Sequence, residues 1–398
     1  MSNTAQHDRR LVGWLSLGQL ITWGSVFYTF ALLLEPVERE LGFTRAQSSL
    51  AFSLALLAEG VLAYPVGRWI DRGHERAVMT GGSLLVAAGL VLHSFVNSVA
   101  AFYAVWLLLG AGLAATLYSP VFAVVTRRFP NDFRRAIITL TFLGGLASTV
   151  FIPLSAWLIQ SLGWRHALWV LAALHVLVCA PLHARFLREA PGPVVRPATG
   201  AAADVSHVAF LRTAPFLLVG VFSIGMMAVT AALPPHMISL LRGSGLAEAW
   251  VIAIPASIGL IQVAGRLLLF FFEHHFDLHL ANRLIPTLIP LGIGALIASV
   301  GHPWAALLFV VLYGLGNGMI TIVKGTAIAQ YVSRDHVASL NGALGLPTAV
   351  ARAAAPLVLG VMWSAEGGYV AGLWVLLAAS IVSVLALFLA QRKALAVV

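Results

Sequence analysis

Residues 47–96 read QSSLAFSLALLAEGVLAYPVGRWIDRGHERAVMTGGSLLVAAGLVLHSFV, and this stretch decides the fold. Two apolar runs, 47–70 and 76–96, flank a short charged segment. A helix needs about 20 apolar residues to cross the hydrocarbon of a bilayer, and each run is that long. Working outward, the pattern recurs along the whole chain. Spans are expected near 11–34, 47–70, 76–96, 99–126, 136–160 and 164–187. A second set is expected near 213–240, 247–272, 282–300, 303–331, 336–363 and 369–390. The 398 residues are 60% hydrophobic and only 10% charged. A soluble domain needs roughly 25% charged residues to solvate its surface. In lipid every backbone polar group must be satisfied internally, which leaves helices or closed barrels. Barrel strands would read as short alternating segments, and these runs are continuous.

Basic loops between spans account for the net charge of +9. All but three of the 22 arginines and two lysines lie at the ends of apolar runs, so nucleic acid is not an expected partner. The single cysteine, Cys179, sits inside an apolar run and implies neither a disulfide framework nor a metal cluster. The apolar stretch after Arg10 is too long for a signal-peptide core and reads as the first span.

Residues 188–212 hold Pro191, Gly192, Pro193, Pro197 and Gly200, and form the one long polar, proline-rich connection. The expected organisation is therefore an N-terminal six-helix bundle (1–187), a cytoplasmic linker (188–212) and a C-terminal six-helix bundle (213–398). The halves read as parallel repeats. Gly163-Trp164 through Leu171 lies over Gly368-Tyr369 through Leu376, Gly67-Arg68 over Gly265-Arg266, and Pro153 over Pro356, at offsets between 198 and 205. With both termini inside, 17 of the 24 cations fall on the cytoplasmic face and four on the opposite face. That bias predicts a multi-pass protein of the inner (cytoplasmic) membrane with both termini cytoplasmic.

The loop Gly67-Arg68-Trp69-Ile70-Asp71-Arg72-Gly73-His74-Glu75-Arg76 resembles the signature between the second and third spans of the major facilitator superfamily. It departs in two places: the second glycine usually falls one position later, and Glu75 stands where a basic residue is usual. The resemblance implies a twelve-helix transporter that rocks two halves around a central site. Gly67 would let two helices approach, and Asp71, Arg72 and Arg76 would hold the cytoplasmic face shut. Tyr28-Thr29-Phe30-Ala31-Leu32-Leu33-Leu34-Glu35-Pro36 and Glu40-Leu41-Gly42-Phe43-Thr44-Arg45-Ala46-Gln47 further resemble the first external loop of the monocarboxylate porters and their bacterial relatives. Thr44 reads there as a helix N-cap. The porters' span-eight arginine falls on Arg266, but Gln262 replaces the aspartate four residues before it, and Tyr28 falls near their span-one lysine.

Charges inside spans cost at least ~2.5–3.5 kcal/mol and mark function. Arg266, Lys324 and Arg352 interrupt the second half, and Glu59 interrupts the first. A cationic wall favours a small organic anion, monocarboxylate-like, held by guanidinium–carboxylate pairs. The substrate-binding candidates are Arg352, Arg266, Glu59, Gln262, Tyr28, Lys324 and Asn317. Glu59 is the candidate for any proton coupling. Glycines such as Gly110, Gly112, Gly314, Gly316 and Gly318 read as helix-packing positions, and His274, His275, Asp277 and His279 as a polar loop. A monomer without cofactor is expected, and no Walker motif points to ATP. Export of an amphipathic toxic compound is the alternative. A membrane-embedded enzyme or sensor is the remaining class, although the sequence shows no acid–histidine–metal cluster and no soluble domain.

Overall fold

The computed structural model describes residues 3–129, 133–188, 210–272, 277–299, 302–333 and 336–395. Among these, twelve helices are long and apolar enough to cross a membrane. The chain divides into two compact units, Met1–Val195 and Arg196–Val398. The first holds α1 (Arg10–Leu41), α2 (Arg45–Asp71), α3 (Glu75–His93), α4 (Val99–Arg128), α5 (Ala136–Leu162) and α6 (Trp164–Phe186). The second holds α7 (Ala214–Gly243), α8 (Glu248–Leu269), α9 (His279–Ile297), α10 (Trp304–Tyr331), α11 (Leu340–Val361) and α12 (Val370–Leu395). The protein is an all-α membrane protein. Most of the linker, and Arg134, Arg135, Arg196, Arg334, His274 and His275, lie outside the residues whose side chains are described.

The first span runs further than its apolar run suggested. Glu35, Glu38 and Glu40 continue α1 until Gly42, which takes φ +70° and ends it. A residue without Cβ adopts that left-handed cap at little cost. Thr44 then starts α2 with a full capping box: its Oγ1 accepts from the Gln47 N–H at 3.2 Å, and Gln47 Oε1 accepts from the Thr44 N–H at 2.9 Å. The box satisfies two of the N–H groups that a helix start leaves without partners. Asp277, expected in a loop, caps α9 by accepting the His279 N–H at 2.9 Å, and His279 is helical.

Both units use one glycine crossing. A Cβ on Gly110 would collide with the backbone of Ala55, so α4 crosses α2 at backbone distance. A Cβ on Gly318 would collide with the backbone of Gln262, so α10 crosses α8 the same way. Such contacts replace the hydrophobic drive that lipid cannot supply.

Several helices in the first unit are interrupted. Pro120 has no N–H to give the Thr116 carbonyl, and α4 breaks at Leu117, whose ψ is −163°. The Nε2 of buried Gln19 donates to that carbonyl at 2.6 Å. Two π-helical turns, Trp23–Tyr28 in α1 and His175–Cys179 in α6, are joined by a hydrogen bond of 2.7 Å between Ser25 and His175 Nε2. Thr29 bonds Ser155 of α5 at 2.7 Å. In α7 a 3-10 turn, Pro234–His236, interrupts the helix at a Pro-Pro pair.

Candidate functional site

The three embedded cations of the second unit lie on α8, α10 and α11. Arg266, half-buried on α8, donates from Nε to the carbonyl of Gly318 at 3.2 Å. The Gly318–Gln262 crossing brings α8 close enough for this. Lys324 lies on α10 two turns further on, half-buried and seven residues before the helix end. Arg352, half-buried near the middle of α11, is close enough to act electrostatically on the Lys324 ammonium. Gly318 to Lys324 spans about 9 Å of helix axis at 1.5 Å per residue. Asn317, Thr321 and Lys324 follow at i, i+4 and i+7, so α10 presents them on one face.

Lys324 is the telling member. Among the described residues no carboxylate pairs with it, and the charged neighbour acting on it is another cation. A half-buried ammonium beside a guanidinium is held against its own electrostatics. Charged groups placed in such surroundings are found clustered at functional sites.

In the first unit the candidates are placed differently. Glu59 is half-buried in α2, more than ten residues from either end of the helix. Tyr28 ends the π turn of α1, half-buried with its ring edge-on to Phe27 at 5.4 Å. Trp23 meets Tyr118 at 5.2 Å, just past the break in α4. A cavity of about 670 Å³, lined by Ser94, Phe95, Asn97, Arg165, His166 and Trp169, opens at the far end of this unit. Its arginine is already engaged by Glu40 and the carbonyls of Ser94 and Val96, so the cavity offers an anion little.

Residues 15–275 match the family model of the Major Facilitator Superfamily. The chain belongs to this superfamily. Monocarboxylate transporter 13 of Bos taurus is 29% identical over 306 residues, covering 71% of this chain and 68% of that protein. Monocarboxylate transporter 11 of Mus musculus is 30% identical over 369 residues, covering 84% of this chain and 77% of that protein. The crystal structure of a point mutant of the nucleoside transporter NupG superposes with a TM-score of 0.76 at 16% identity, over 96% of this chain and 99% of that one. The twelve helices in two parallel repeats thus form the major facilitator fold. The protein is a transporter of a small molecule, embedded in a membrane, and not an enzyme.

The superfamily loop between α2 and α3 is organised differently from its sequence expectation. Among the described residues, a Cβ on Gly67 would meet nothing within 4 Å, so none of them makes a close approach at this glycine. Asp71 is half-buried, and Arg72 and Arg76 are exposed. The organising residue is Glu75, which departs from the usual basic residue. Its side chain is 0% exposed, and it pairs with Arg127 at 3.4 Å and with Arg128, whose side chains are 7% and 11% exposed. Arg127 also donates to the Ile70 carbonyl, and Arg128 donates to the Arg188 carbonyl at 3.0 Å. Glu75 stands in the first turn of α3, where the helix dipole favours a carboxylate. The network ties the ends of α2, α3 and α4 over an apolar cluster of Leu11, Leu15, Ile70, Met79, Val121 and Leu140. Sequence reasoning counted Arg127 and Arg128 as topology signals only. The signal that could have found the network was the unusual acid itself.

Proposed function

We propose that this transporter carries a small organic anion by alternating access, with Arg352, Lys324 and Arg266 binding its negative charge. The observation that carries this reading is Lys324: a half-buried ammonium whose charged neighbour is Arg352, with no described carboxylate paired to it. An anionic substrate supplies the missing charge. Charge-assisted bonds from guanidinium to carboxylate are roughly twice as strong as neutral ones, so such a site holds an anion firmly. Asn317 on the same face adds an amide donor, and Tyr28 and Gln262 are assigned to contacts around the anion. Relatives named monocarboxylate transporters support a carboxylate as the anionic group. Glu59 is the residue assigned to proton coupling.

The Glu75–Arg127–Arg128 network, with Asp71, Arg72 and Arg76 beside it, is assigned to closing the cytoplasmic side. The distribution of arginines supports an inner-membrane protein with both termini cytoplasmic, acting as a monomer. The test is uptake of a panel of radiolabelled short carboxylates into proteoliposomes. Uptake of at least one is expected, reduced to background in Arg352→Ala. Carboxylate uptake that Arg352→Ala leaves unchanged would overturn the assignment.

A further inference from the structure

Arg352 stands on α11 between two prolines of the same helix, Pro347 and Pro356. A proline inside a helix has no N–H for the carbonyl four residues back, and its ring pushes that carbonyl aside. For Pro356 that carbonyl belongs to Arg352 itself. Arg352 lies about 6 Å along the helix axis from Pro356, at 1.5 Å per residue. A change of about 20° in the bend at the proline would therefore move it by about 2 Å. Hydrogen-bond lengths vary over only about 0.5 Å, so this joint must be held if the guanidinium is to meet an anion.

The joint is held from α7 and from the start of α12. His236 closes the 3-10 turn that the Pro-Pro pair makes in α7, and it is fully buried. Its Nε2 donates to the Pro356 carbonyl at 2.9 Å, and its Nδ1 lies 3.0 Å from the Tyr369 hydroxyl. A carbonyl only accepts, so Nε2 carries the ring proton, and in the neutral ring Nδ1 accepts from the Tyr369 O–H. Tyr369 is buried one residue before α12, its ring edge-on to His236 at 5.2 Å. The first repeat uses the matching positions differently. Pro153 lies in α5, but Trp164, the counterpart of Tyr369, donates to Glu40 at 2.5 Å.

We infer that His236 is a positioning residue for Arg352: with its tautomer fixed by Tyr369, it clamps the Pro356 joint of α11 and sets where the guanidinium meets the anion. The inference rests on the anion reading above. His236 and Tyr369 act through α11 and not by contact with the anion.

The test is the initial rate of uptake into proteoliposomes, over a range of concentrations, of whichever of radiolabelled acetate, propionate, lactate and succinate the wild type carries best. A mere loss of stability lowers the number of active transporters, and so the maximal rate, and leaves KM alone; a displaced Arg352 weakens binding and raises KM. His236→Leu is expected to raise KM about tenfold. His236→Gln, whose amide can still donate to the Pro356 carbonyl, should stay within about threefold of the wild type. Should His236→Leu fail to reconstitute, Tyr369→Phe decides, with a rise in KM of about threefold expected. An unchanged KM in the deciding variant, with uptake abolished by Arg352→Ala, would overturn the positioning role and leave the anion reading standing. Uptake that Arg352→Ala leaves intact, or no uptake of any of the four, would overturn the anion reading and this inference with it.

Discussion

The two units meet the same task, tying three helix ends together, with opposite chemistry. In the first, the start of α3 and the end of α4 are joined by a buried carboxylate and two arginines, Glu75 with Arg127 and Arg128. In the second, the start of α9 and the end of α10 are joined by neutral groups: Asn282 donates to Gln330 and, at 2.8 Å, to the Tyr331 hydroxyl. Arg283 is tied to Gln391 at 2.6 Å, and Gln391 reaches the His279 carbonyl at 3.0 Å. The arginine pair Arg68 and Arg266 shows the reverse asymmetry. Arg68 is exposed and lies over the Tyr64 ring at 5.9 Å, whereas Arg266 is half-buried on the Gly318 carbonyl. One repeat spends its buried charge on structure at the membrane edge; in the other, Lys324 lies half-buried within a span, and among the described residues no carboxylate is paired with it.

That contrast can be broken experimentally, and the largest effect is expected at Glu75. Glu75→Ala leaves two nearly buried arginines without their carboxylate, and losing one partner of a buried pair costs about 3–5 kcal/mol. Asn282→Ala at the equivalent end should cost far less, about 0.6 kcal/mol, as hydrogen bonds between membrane helices do. Thermal unfolding of the purified variants compares them directly; equal losses would mean that the ionic network carries no special weight. The glycine crossings are shared by both units and should respond alike. Gly110→Ala and Gly318→Ala each force a methyl group into a backbone contact, and overpacking of this kind costs about 1–3 kcal/mol. Gly67→Ala, with open space around it, should be near neutral in the same assay. The smallest effect is expected at Arg68→Gln, within about 0.5 kcal/mol for an exposed position. Arg266→Gln should instead weaken anion binding while leaving Arg68→Gln at wild-type affinity; parallel behaviour of the two would erase the distinction between the repeats.

Much of this was legible in the sequence because lipid makes few demands and states them loudly. Apolar runs gave the helices, and the Thr44–Gln47 spacing gave a cap that forms in full. The embedded cations were visible because a charge inside an apolar run is conspicuous. The contact of Arg266 with α10 was not, since it runs through the backbone carbonyl of Gly318, a group that side-chain patterns do not report. The role of Glu75 was hidden for a related reason. Its partners are more than fifty residues away in sequence, at the far end of α4, and a charge near a span end reads as an ordinary loop residue until the helices are assembled. The break in α4 follows from Pro120, but that Gln19 fills the vacated carbonyl depends on α1 packing beside it.

The central claim is that the cations of the second unit bind the substrate while those of the first hold the fold, and ligand-induced thermal stabilisation separates the two. Unfolding midpoints of Lys324→Gln and Arg127→Gln are measured without anion and at saturating carboxylate. Lys324→Gln should keep the unliganded midpoint and lose most of the carboxylate-induced rise, whereas Arg127→Gln should lower the unliganded midpoint and keep the rise. The reverse pattern, with Lys324→Gln unstable but still stabilised by carboxylate, would contradict the assignment.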